Sequence, residues 1–584
     1  MLFASSSSPA RRPAPGPVLL LASALAGCPR AEAPSPKPAE LVVRGGRIRT
    51  LDPERPVVEA LAVAGGRVVE LGPRAEIVRR IGPETEILDL EGATAVPGLV
   101  DAHLHLEGVG NRLHTLDLVG QELRALLDAV AEAAAARPPG TPILGRGWDQ
   151  TTWSQGDCPE GTEPCLDPAG FPTRDLLDRV APNHPVVLTR VDGHARWANG
   201  AALALGGIDT KTPDPAGGRI GRDADGRPSG LLVDNAMRLV TERLPKTSAE
   251  ALKRRLLDAQ RELLSVGLTA VHEMSGSPAM WTALSALEAE GRLKLRVFFY
   301  LWGQDGDLDA LIDRFPTEGL GPDARLRRVG VKLMADGALG SRGAALLAPY
   351  ADADHDGALL LSPEALGRRA RIAAEHGLAP AVHAIGDRAN RVVLDELGAL
   401  RAARGGTWGR LRPRIEHAQI LHPEDMPRLA ALGVVASMQP THATTDMRWA
   451  EARLGPDRLA GAYAWARLRT SGATLAAGSD APVESPDPVA GIYAARTRTD
   501  RRGQPEGGWR PEERLSGAAA LAAFTRGPAW AVGAEDELGR LSVGHRADLT
   551  VLSVDPVEAE PDALLDAEAR FTVVGGEVVF RAER

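Results

Sequence analysis

The chain has 584 residues, of which 44% are hydrophobic and 25% are charged. This composition is that of an ordinary globular protein and excludes a disordered or collagen-like chain. The 68 basic and 77 acidic residues give a net charge of −9, which argues against a nucleic-acid partner because such a protein needs a basic face. At about 150 residues per domain the length predicts about four domains, although barrel enzymes reach this size as one unit.

The start of the chain is typical of an exported protein. A short apolar run follows two arginines and is too short to span a bilayer as a helix. It ends at 25–28 in Leu-Ala-Gly-Cys, which resembles a bacterial lipobox. We therefore expect a lipoprotein signal peptide at 1–27, a lipid on Cys28 and a Pro/Ala-rich tether at 28–40. The protein would be anchored to a bacterial membrane and face the periplasm or the cell exterior; an uncleaved, unlipidated start is the alternative.

The two other cysteines, Cys158 and Cys165, lie close together in the sequence. An even remainder of cysteines in an exported protein indicates a disulfide. Closing so short a loop would stabilise the fold by about 2.5 kcal/mol in the chain-entropy description. Two free surface thiols are the alternative.

Both ends of the chain contain short β-type runs that are interrupted by Gly-Gly turns. These runs lie at 41–48, 60–71, 547–552 and 571–580. They predict one small β-sandwich that is assembled from the two ends, with its first part at 41–97 and its second part at 535–584.

The residues between these parts, 98–534, alternate between strand-like and helical patterns. Eight short apolar runs predict strands at 98–103, 269–273, 296–301, 329–334, 380–384, 414–418, 434–438 and 474–480. Eight is the number that a (β/α)₈ barrel requires, so the predicted fold class is α/β with a TIM-like barrel. The clearest helix begins with a capping box at Thr247–Glu250.

A Pro-, Gly- and Trp-rich segment at about 144–245 interrupts the barrel pattern after its first strand. It contains a strand-like run of its own at 186–190. We expect it to form a lid or an insert domain.

Polar residues follow five of the predicted barrel strands. His103 and His105 end the first strand, and their spacing points both imidazoles to one side. The others are Lys332, His383, Glu416 with His417, and Asp480. Barrel active sites lie at this end of the strands, and imidazole is the commonest ligand of borderline metals such as zinc. Each residue alone is also compatible with a structural role, but burying five such groups unpaired is expensive.

In their order along the chain, these residues resemble the metal-dependent amidohydrolase superfamily. The flanking motifs resemble amidohydrolase family 3, the branch with N-substituted formamide deformylase. The resemblance covers the chain from about residue 41 to its end. It rests on Pro97-Gly-Leu-Val-Asp-Ala-His-Leu-His, Gly145-Arg-Gly-Trp-Asp, Asp192-Gly-His, Asp336-Gly-Ala-Leu-Gly-Ser-Arg, His383-Ala-Ile-Gly-Asp-Arg-Ala, Arg414-Ile-Glu-His-Ala, Ser437-Met-Gln-Pro-Thr-His and Gly478-Ser-Asp-Ala-Pro-Val-Glu.

The resemblance implies a barrel with a composite β-sandwich and one or two divalent metal ions, usually Zn²⁺. His103, His105 and Asp480 would hold the more buried ion, and His383 with His417 would hold the second. Lys332 matches a position where related enzymes carry a carboxylated lysine that bridges both ions. The residues that would face the substrate are Trp148, Asp149, Asp192, His194 and His442.

Two further residues near the predicted ligands bear on the resemblance. Asp387 lies four positions after His383, and we expect it to hydrogen-bond that histidine. Glu273 stands where the family often has aspartate, and the sequence alone assigns it no role.

The implied reaction is hydrolysis of a non-peptide C–N bond in a small N-substituted or N-acyl amide by metal-activated water. Asp480 would be the catalytic residue, taking a proton from the water and giving it to the leaving amine. Tryptophans in the predicted loops and insert favour a substrate with a hydrophobic group. A cyclic-amide or ester hydrolase, or a solute-binding lipoprotein without activity, are the alternatives. The oligomeric state is open, a homodimer being one option.

Overall fold

The computed structural model describes residues 37–150, 153–162, 165–168, 170–190, 195–215, 218–245, 247–315 and 324–583. Cys28 and the signal sequence lie outside the described residues, so the lipid anchor and the exported location stay predictions. No helix within the described ranges is long and apolar enough to cross a membrane.

The strands of the described residues follow one another in this order: Leu41–Arg49 (β1), Val57–Ala64 (β2), Arg67–Gly72 (β3), Glu86–Asp89 (β4), Thr94–Pro97 (β5), Leu99–Leu104 (β6), Leu116–Asp117 (β7), Ile143–Trp148 (β8), Val186–Arg190 (β9), Ala195–Ala198 (β10), Gly218–Arg222 (β11), Pro228–Asp234 (β12), Leu268–Gly276 (β13), Arg296–Trp302 (β14), Leu326–Met334 (β15), Ala379–Ala384 (β16), Arg414–His417 (β17), Val435–Met438 (β18), Leu475–Ala477 (β19), Leu549–Leu552 (β20), Ala569–Val574 (β21) and Glu577–Arg581 (β22).

The α-helices of the same residues are Arg74–Ile77 (α1), Leu106–Leu113 (α2), Leu123–Ala135 (α3), Arg174–Val180 (α4), Gly200–Gly206 (α5), Arg238–Thr241 (α6), Ala249–Ser265 (α7), Pro278–Ala289 (α8), Leu308–Ile312 (α9), Pro363–Glu375 (α10), Asp387–Arg404 (α11), Met426–Leu432 (α12), Pro440–Asp446 (α13), Ala450–Leu454 (α14), Trp465–Thr470 (α15), Pro488–Thr497 (α16), Gly517–Ala523 (α17), Arg526–Ala531 (α18) and Pro561–Leu565 (α19).

Eight parallel strands form the central sheet in the order β6-β13-β14-β15-β16-β17-β18-β19. They coincide within a few residues with the eight predicted strands, so the predicted α/β barrel is confirmed as a nearly closed barrel. Beyond the end of β19, the backbone N–H of Asp480 donates to the carbonyl of His103 on β6 over 2.7 Å. A side chain at Gly478 would lie 2.5 Å from Asp101, so this approach of the chain to β6 requires glycine.

Helix α7 shows how the sequence pattern and the structure differ by one residue. Its N-cap is Ser248, whose hydroxyl accepts the N–H of Ala251 over 3.2 Å, rather than the predicted Thr247. The predicted apolar stripe is buried against the barrel, with Leu252, Leu256, Leu263 and Leu264 in its core. The adjacent Thr247 instead accepts a hydrogen bond from Arg255 of the same helix over 3.1 Å.

The ends of the chain meet in a second sheet, here called the terminal sheet. Its strand order is β22-β21-β20-β5-β1-β2-β3, and β4 pairs in parallel with β1. The central pairing is antiparallel between β5 and β20, with Val96 opposite Thr550. An ion pair, buried at both ends, connects this sheet to the barrel: Arg296 of β14 donates to both carboxylate oxygens of Asp548, over 2.6 and 2.9 Å.

The insert after β6 is a mixed sheet in the order β11-β12-β10-β9-β8-β7. The insert therefore begins with β7 at Leu116, not near residue 144, because β7 and α3 pack into its core. Cys158 and Cys165 form a disulfide in this core, with their Cα atoms 5.7 Å apart.

The structure corrects the prediction that Trp148 faces the substrate. It is fully buried in the insert, stacks on Trp153 at 6.1 Å and donates its indole N–H to the carbonyl of Leu188. This placement gives Trp148 a packing role instead of a contact with substrate.

Candidate metal centre

The first set of candidate ligands joins β6 to the loop after β19. His105 Nε2 lies 3.1 Å from Asp480 Oδ1, and His103 Nε2 lies 3.5 Å from the same oxygen. Strand alternation puts both imidazoles on one side of β6, as the H-x-H spacing predicts. Asp480 has a φ of 60°, a left-handed conformation that is unusual outside glycine and that occurs here where the loop turns back to β6.

A second set shares Asp480 and adds His417 of β17 and His442 of α13. The ligand atoms of His417, His442 and Asp480 lie within 4.8 Å of one another, as do those of His103, His105 and Asp480. The His417 Nδ1 is hydrogen-bonded to Gln439 Oε1 over 2.8 Å. His442, which the sequence predicted as a substrate contact, is therefore placed as a candidate ligand.

His383 lies beside this set. Its ring centroid is 4.5 Å from that of His417, and Nε2 is 3.5 Å from Asp336 Oδ1. The Nε2 atoms of His383 and His442 are buried and have no hydrogen-bond partner within the described residues. Such atoms are costly to bury unless a ligand or an ion satisfies them.

Lys332 of β15 points into the histidine cluster. Its Nζ lies 3.3 Å from His103 Nε2, and the side chain is buried. Burial lowers the pKa of the Lys332 ammonium from its ordinary value, because a charge is poorly solvated there.

A buried network behind the cluster fixes the orientation of His103. Glu416 Oε2 lies 2.7 Å from His103 Nδ1, which leaves Nε2 directed to the candidate metal site. Arg414 Nε and Nη2 donate to the two oxygens of Glu416 over 2.8 and 2.9 Å. All three side chains are fully buried. The Arg414 charge and the His103 contact hold the pKa of Glu416 well below its usual range, although burial alone would raise it.

Three more buried carboxylates fix the loops that carry the ligands. Asp101 accepts the Ser479 hydroxyl over 2.5 Å, and burial raises its pKa to about 7. Asp336 accepts the N–H groups of Ile385 and Gly386, and burial raises its pKa to about 7 as well. Glu273 accepts the first N–H of α2 at Leu106, directly after the H-x-H pair, which gives this substituted position a role.

The electrostatic state of the cluster suits metal ligation. Burial and then the charge of Lys332 lower the pKa of His103 to about 4 and that of His383 to about 3. Burial would raise the pKa of Asp480, but its hydrogen bond with His105 and the neighbouring imidazoles bring it well below the ordinary value. At neutral pH His103 and His383 are therefore neutral imidazoles and Asp480 is an ionised carboxylate, the forms that bind metals.

The candidate ligands line a cavity of about 380 Å³ at the mouth of the barrel. Trp302, Met334, Leu339 and Trp449 supply apolar walls. Gly340 makes room for one of them, because a Cβ there would lie 3.1 Å from the Trp449 ring.

The predicted substrate contacts in the insert are not found at the metal cavity within the described residues. Asp149 makes an ion pair with Arg190, 3.0 Å away, and is absent from the described lining of the metal cavity. Asp192 and His194 lie outside the described residues. The predicted partner of His383 is wrong as well: Asp387 accepts the N–H of Leu347, whereas Asp336 approaches His383.

Sequence reasoning missed the orienting roles of Glu416, Arg414 and Gln439. The first two were visible as alternating residues, since positions 414 and 416 of one strand face the same side. Gln439 had no comparable signal, because its contact to His417 joins the ends of two different strands.

A divalent metal ion fits these residues. Two imidazoles and a carboxylate in each set form a nitrogen and oxygen donor group that is typical of Zn²⁺ and similar ions. The unsatisfied Nε2 atoms and the carboxylate held opposite Nδ1 of His103 are the supporting arrangement that metal-bound histidines use.

Comparison with known proteins agrees with this site. The model of a family described as "Amidohydrolase family" matches residues 86–580. YtcJ of Bacillus subtilis (strain 168) is 34% identical over 544 residues, which cover 92% of this chain and 98% of YtcJ. The N-substituted formamide deformylase of Arthrobacter pascens is 30% identical over 589 residues, covering 93% of this chain and 98% of that enzyme.

A solved structure supports the same assignment. The crystal structure of an uncharacterized metal-dependent hydrolase from Pyrococcus furiosus superposes with a TM-score of 0.72 at 30% identity, covering 89% of this chain and 100% of that one. The barrel, the buried imidazole and carboxylate groups at its strand ends and these matches all agree. The chain therefore belongs to the amidohydrolase family and is a metal-dependent hydrolase.

Proposed function

We propose that the protein hydrolyses the C–N bond of a small N-substituted or N-acyl amide. The observation that carries this proposal is the position of Asp480, whose two oxygens approach both candidate ligand sets within one cavity. The activity for which the Arthrobacter relative is named, deformylation of an N-substituted formamide, supports an amide substrate. The aromatic walls at Trp302 and Trp449 support an apolar substituent on that amide.

The residues of the site have two roles, metal binding and proton transfer. His103, His105, His417, His442, Asp480 and the adjacent His383 would hold one or two divalent ions. When bound, such an ion supplies Lewis acidity, which polarises a carbonyl and lowers the pKa of a water molecule. Asp480 accepts the proton that the attacking water loses as its oxygen bonds to the carbonyl carbon. Asp480 then returns that proton to the nitrogen as the C–N bond breaks, because an amide anion is too basic to leave.

Lys332 is proposed to carry a carboxyl group that would help to hold the ions. Its buried Nζ lies at the cluster, and burial favours the neutral amine that attacks carbon dioxide with loss of one proton. Incubating the metal-loaded protein with ¹³C-bicarbonate is expected to give a carbamate signal in ¹³C NMR that is absent in Lys332→Met. A wild-type spectrum without that signal would exclude the modification.

Metal removal and a substrate panel test the proposal. Dialysis against a chelator is expected to lower turnover of the preferred amide at least about 100-fold, and added Zn²⁺ or another divalent ion is expected to restore it. The panel contains N-formyl, N-acyl and cyclic amides with the corresponding esters. Preference for cyclic amides or esters would favour the first alternative activity.

Metal content and turnover, measured together, distinguish the hydrolase from a solute-binding protein. Plasma mass spectrometry is expected to find one or two divalent ions for each chain. A metal-loaded protein that turns over no member of the panel would contradict the proposed activity and favour a binding role.

A further inference from the structure

The metal cavity carries two carboxylates that the proposed chemistry does not use, Asp446 and Glu484. Both are half-buried. The indoles of Trp302 and Trp449 line the same cavity. Lys332 is the only lysine or arginine in the described lining, and its Nζ lies among the histidines.

Helix α13 places one of these carboxylates close to the reacting centre. His442 and Asp446 are four residues apart on it, so they share a face, and both line the cavity. His442 Nε2 is 3.9 Å from Asp480 Oδ2. The carboxylate of Asp446 therefore begins about one helical turn, roughly 6 Å along the axis, from the metal-facing imidazole.

Hydrogen bonds hold Asp446 as an acceptor. Its Oδ2 accepts from Gln419 Nε2 and from the Tyr463 hydroxyl, each over 2.6 Å. Burial raises the pKa of Asp446, whereas these two donors and the nearby His442 favour its ionised form, and neither bond uses Oδ1. Beside it, the Thr445 hydroxyl donates to Glu484 over 2.7 Å, so the second carboxylate is fixed next to the same helix.

Carboxylates and indole rings that line one cavity can recognise an organic cation. A protonated amine donates charge-assisted hydrogen bonds to a carboxylate and is attracted to the face of an indole. An anionic group would meet two negative charges here, with no arginine in the described lining to pair with it.

We infer that the preferred amide carries a second, protonated nitrogen a few bonds from the scissile carbonyl, as in an N-acylated diamine. This inference rests on the proposed amide hydrolysis. The reaction is unchanged: water adds to the carbonyl carbon, the C–N bond breaks, and the distal ammonium is only bound.

Matched substrates test the inference with the metal-loaded, full-length protein. N-acylputrescine and the isosteric N-pentylamide, made with formyl, acetyl and benzoyl groups, differ only in the terminal ammonium. The kcat/KM of the cationic member is expected to be at least about tenfold higher. Asp446→Asn is expected to bring that ratio close to one, whereas Glu451→Gln, an exposed change of the same charge on α14, is expected to leave the ratio unaltered.

Each remaining outcome is decisive. Equal kcat/KM values for the two members, or a higher value for the N-pentylamide, would overturn the inference and leave amide hydrolysis intact. If neither is hydrolysed, the proposed activity fails, and calorimetry with pentylammonium and 1-pentanol tests the cation site by itself. Tighter binding of pentylammonium that Asp446→Asn removes supports the site, and equal binding overturns it.

Discussion

Asp480→Asn is expected to reduce kcat for an unactivated amide about 10³-fold, because the asparagine amide can neither accept the water proton nor protonate the leaving nitrogen. The substitution keeps the size of the side chain, and the histidines of both ligand sets remain. Steady-state kinetics of the variant measure the loss of proton transfer, and metal analysis of the same preparation measures whether the ions are retained.

The leaving group distinguishes proton transfer from a merely structural loss. An anilide with an electron-withdrawing ring, or an ester, has a less basic leaving group that departs without full protonation. Its kcat is therefore expected to fall less than that of an alkylamide. Asp457→Asn, which removes an exposed carboxylate, serves as the control. Near-normal turnover of the alkylamide by a metal-loaded Asp480→Asn protein would refute the assigned role.

Arg414→Met is expected to lower the free energy of unfolding by about 3–5 kcal/mol, because it leaves the Glu416 carboxylate buried without its cation. Arg414 also donates to the carbonyl of Ala102 over 2.7 Å and to the Ser437 hydroxyl over 2.7 Å, so several acceptors lose their donor. Urea unfolding monitored by circular dichroism measures the change. Arg238→Met, at an exposed pair with Glu242, is the matched control with a change near zero.

A double variant separates stability from metal binding. Arg414→Met with Glu416→Leu replaces the ion pair by apolar side chains and is expected to regain part of the lost stability. It also removes the acceptor for His103 Nδ1, so metal affinity is expected to stay about 10- to 100-fold weaker than in the wild type. Full metal affinity in the double variant would show that Glu416 does not orient His103.

The barrel could be predicted from sequence because each strand is a short apolar run, and five of the eight strands end in a polar group. His103 and Asp480 lie at the two edges of the barrel sheet, and their position after apolar runs, together with the family resemblance, indicated that they meet. Strand ends converge in a barrel whatever the intervening sequence, so this part of the site depends on topology alone.

The remaining errors concern residues whose neighbours come from other segments. Trp148 follows an apolar strand like the ligands do, but its sheet is that of the insert, and nothing local distinguishes the two sheets. His442 was predicted as a substrate contact because its motif resembles a substrate-facing motif of the family, whereas the structure places it beside Asp480 in a candidate ligand set. Asp387 lies four positions from His383 in sequence, but the residue that approaches His383 is Asp336, which comes from the loop after the neighbouring strand β15.

The terminal sheet has a consequence for the order in which the molecule can assemble. Strand β5 leads directly into β6, which carries His103, yet its partner β20 is synthesised more than four hundred residues later. The N–H of Gly98, between these strands, donates to the carbonyl of Asp548, and that of Leu99 to the Thr550 hydroxyl. The first ligand strand therefore gains its last anchors only after more than four hundred further residues have been synthesised. Contacts so distant in sequence are slow to close, so the growing chain carries an unpaired strand edge through most of its synthesis.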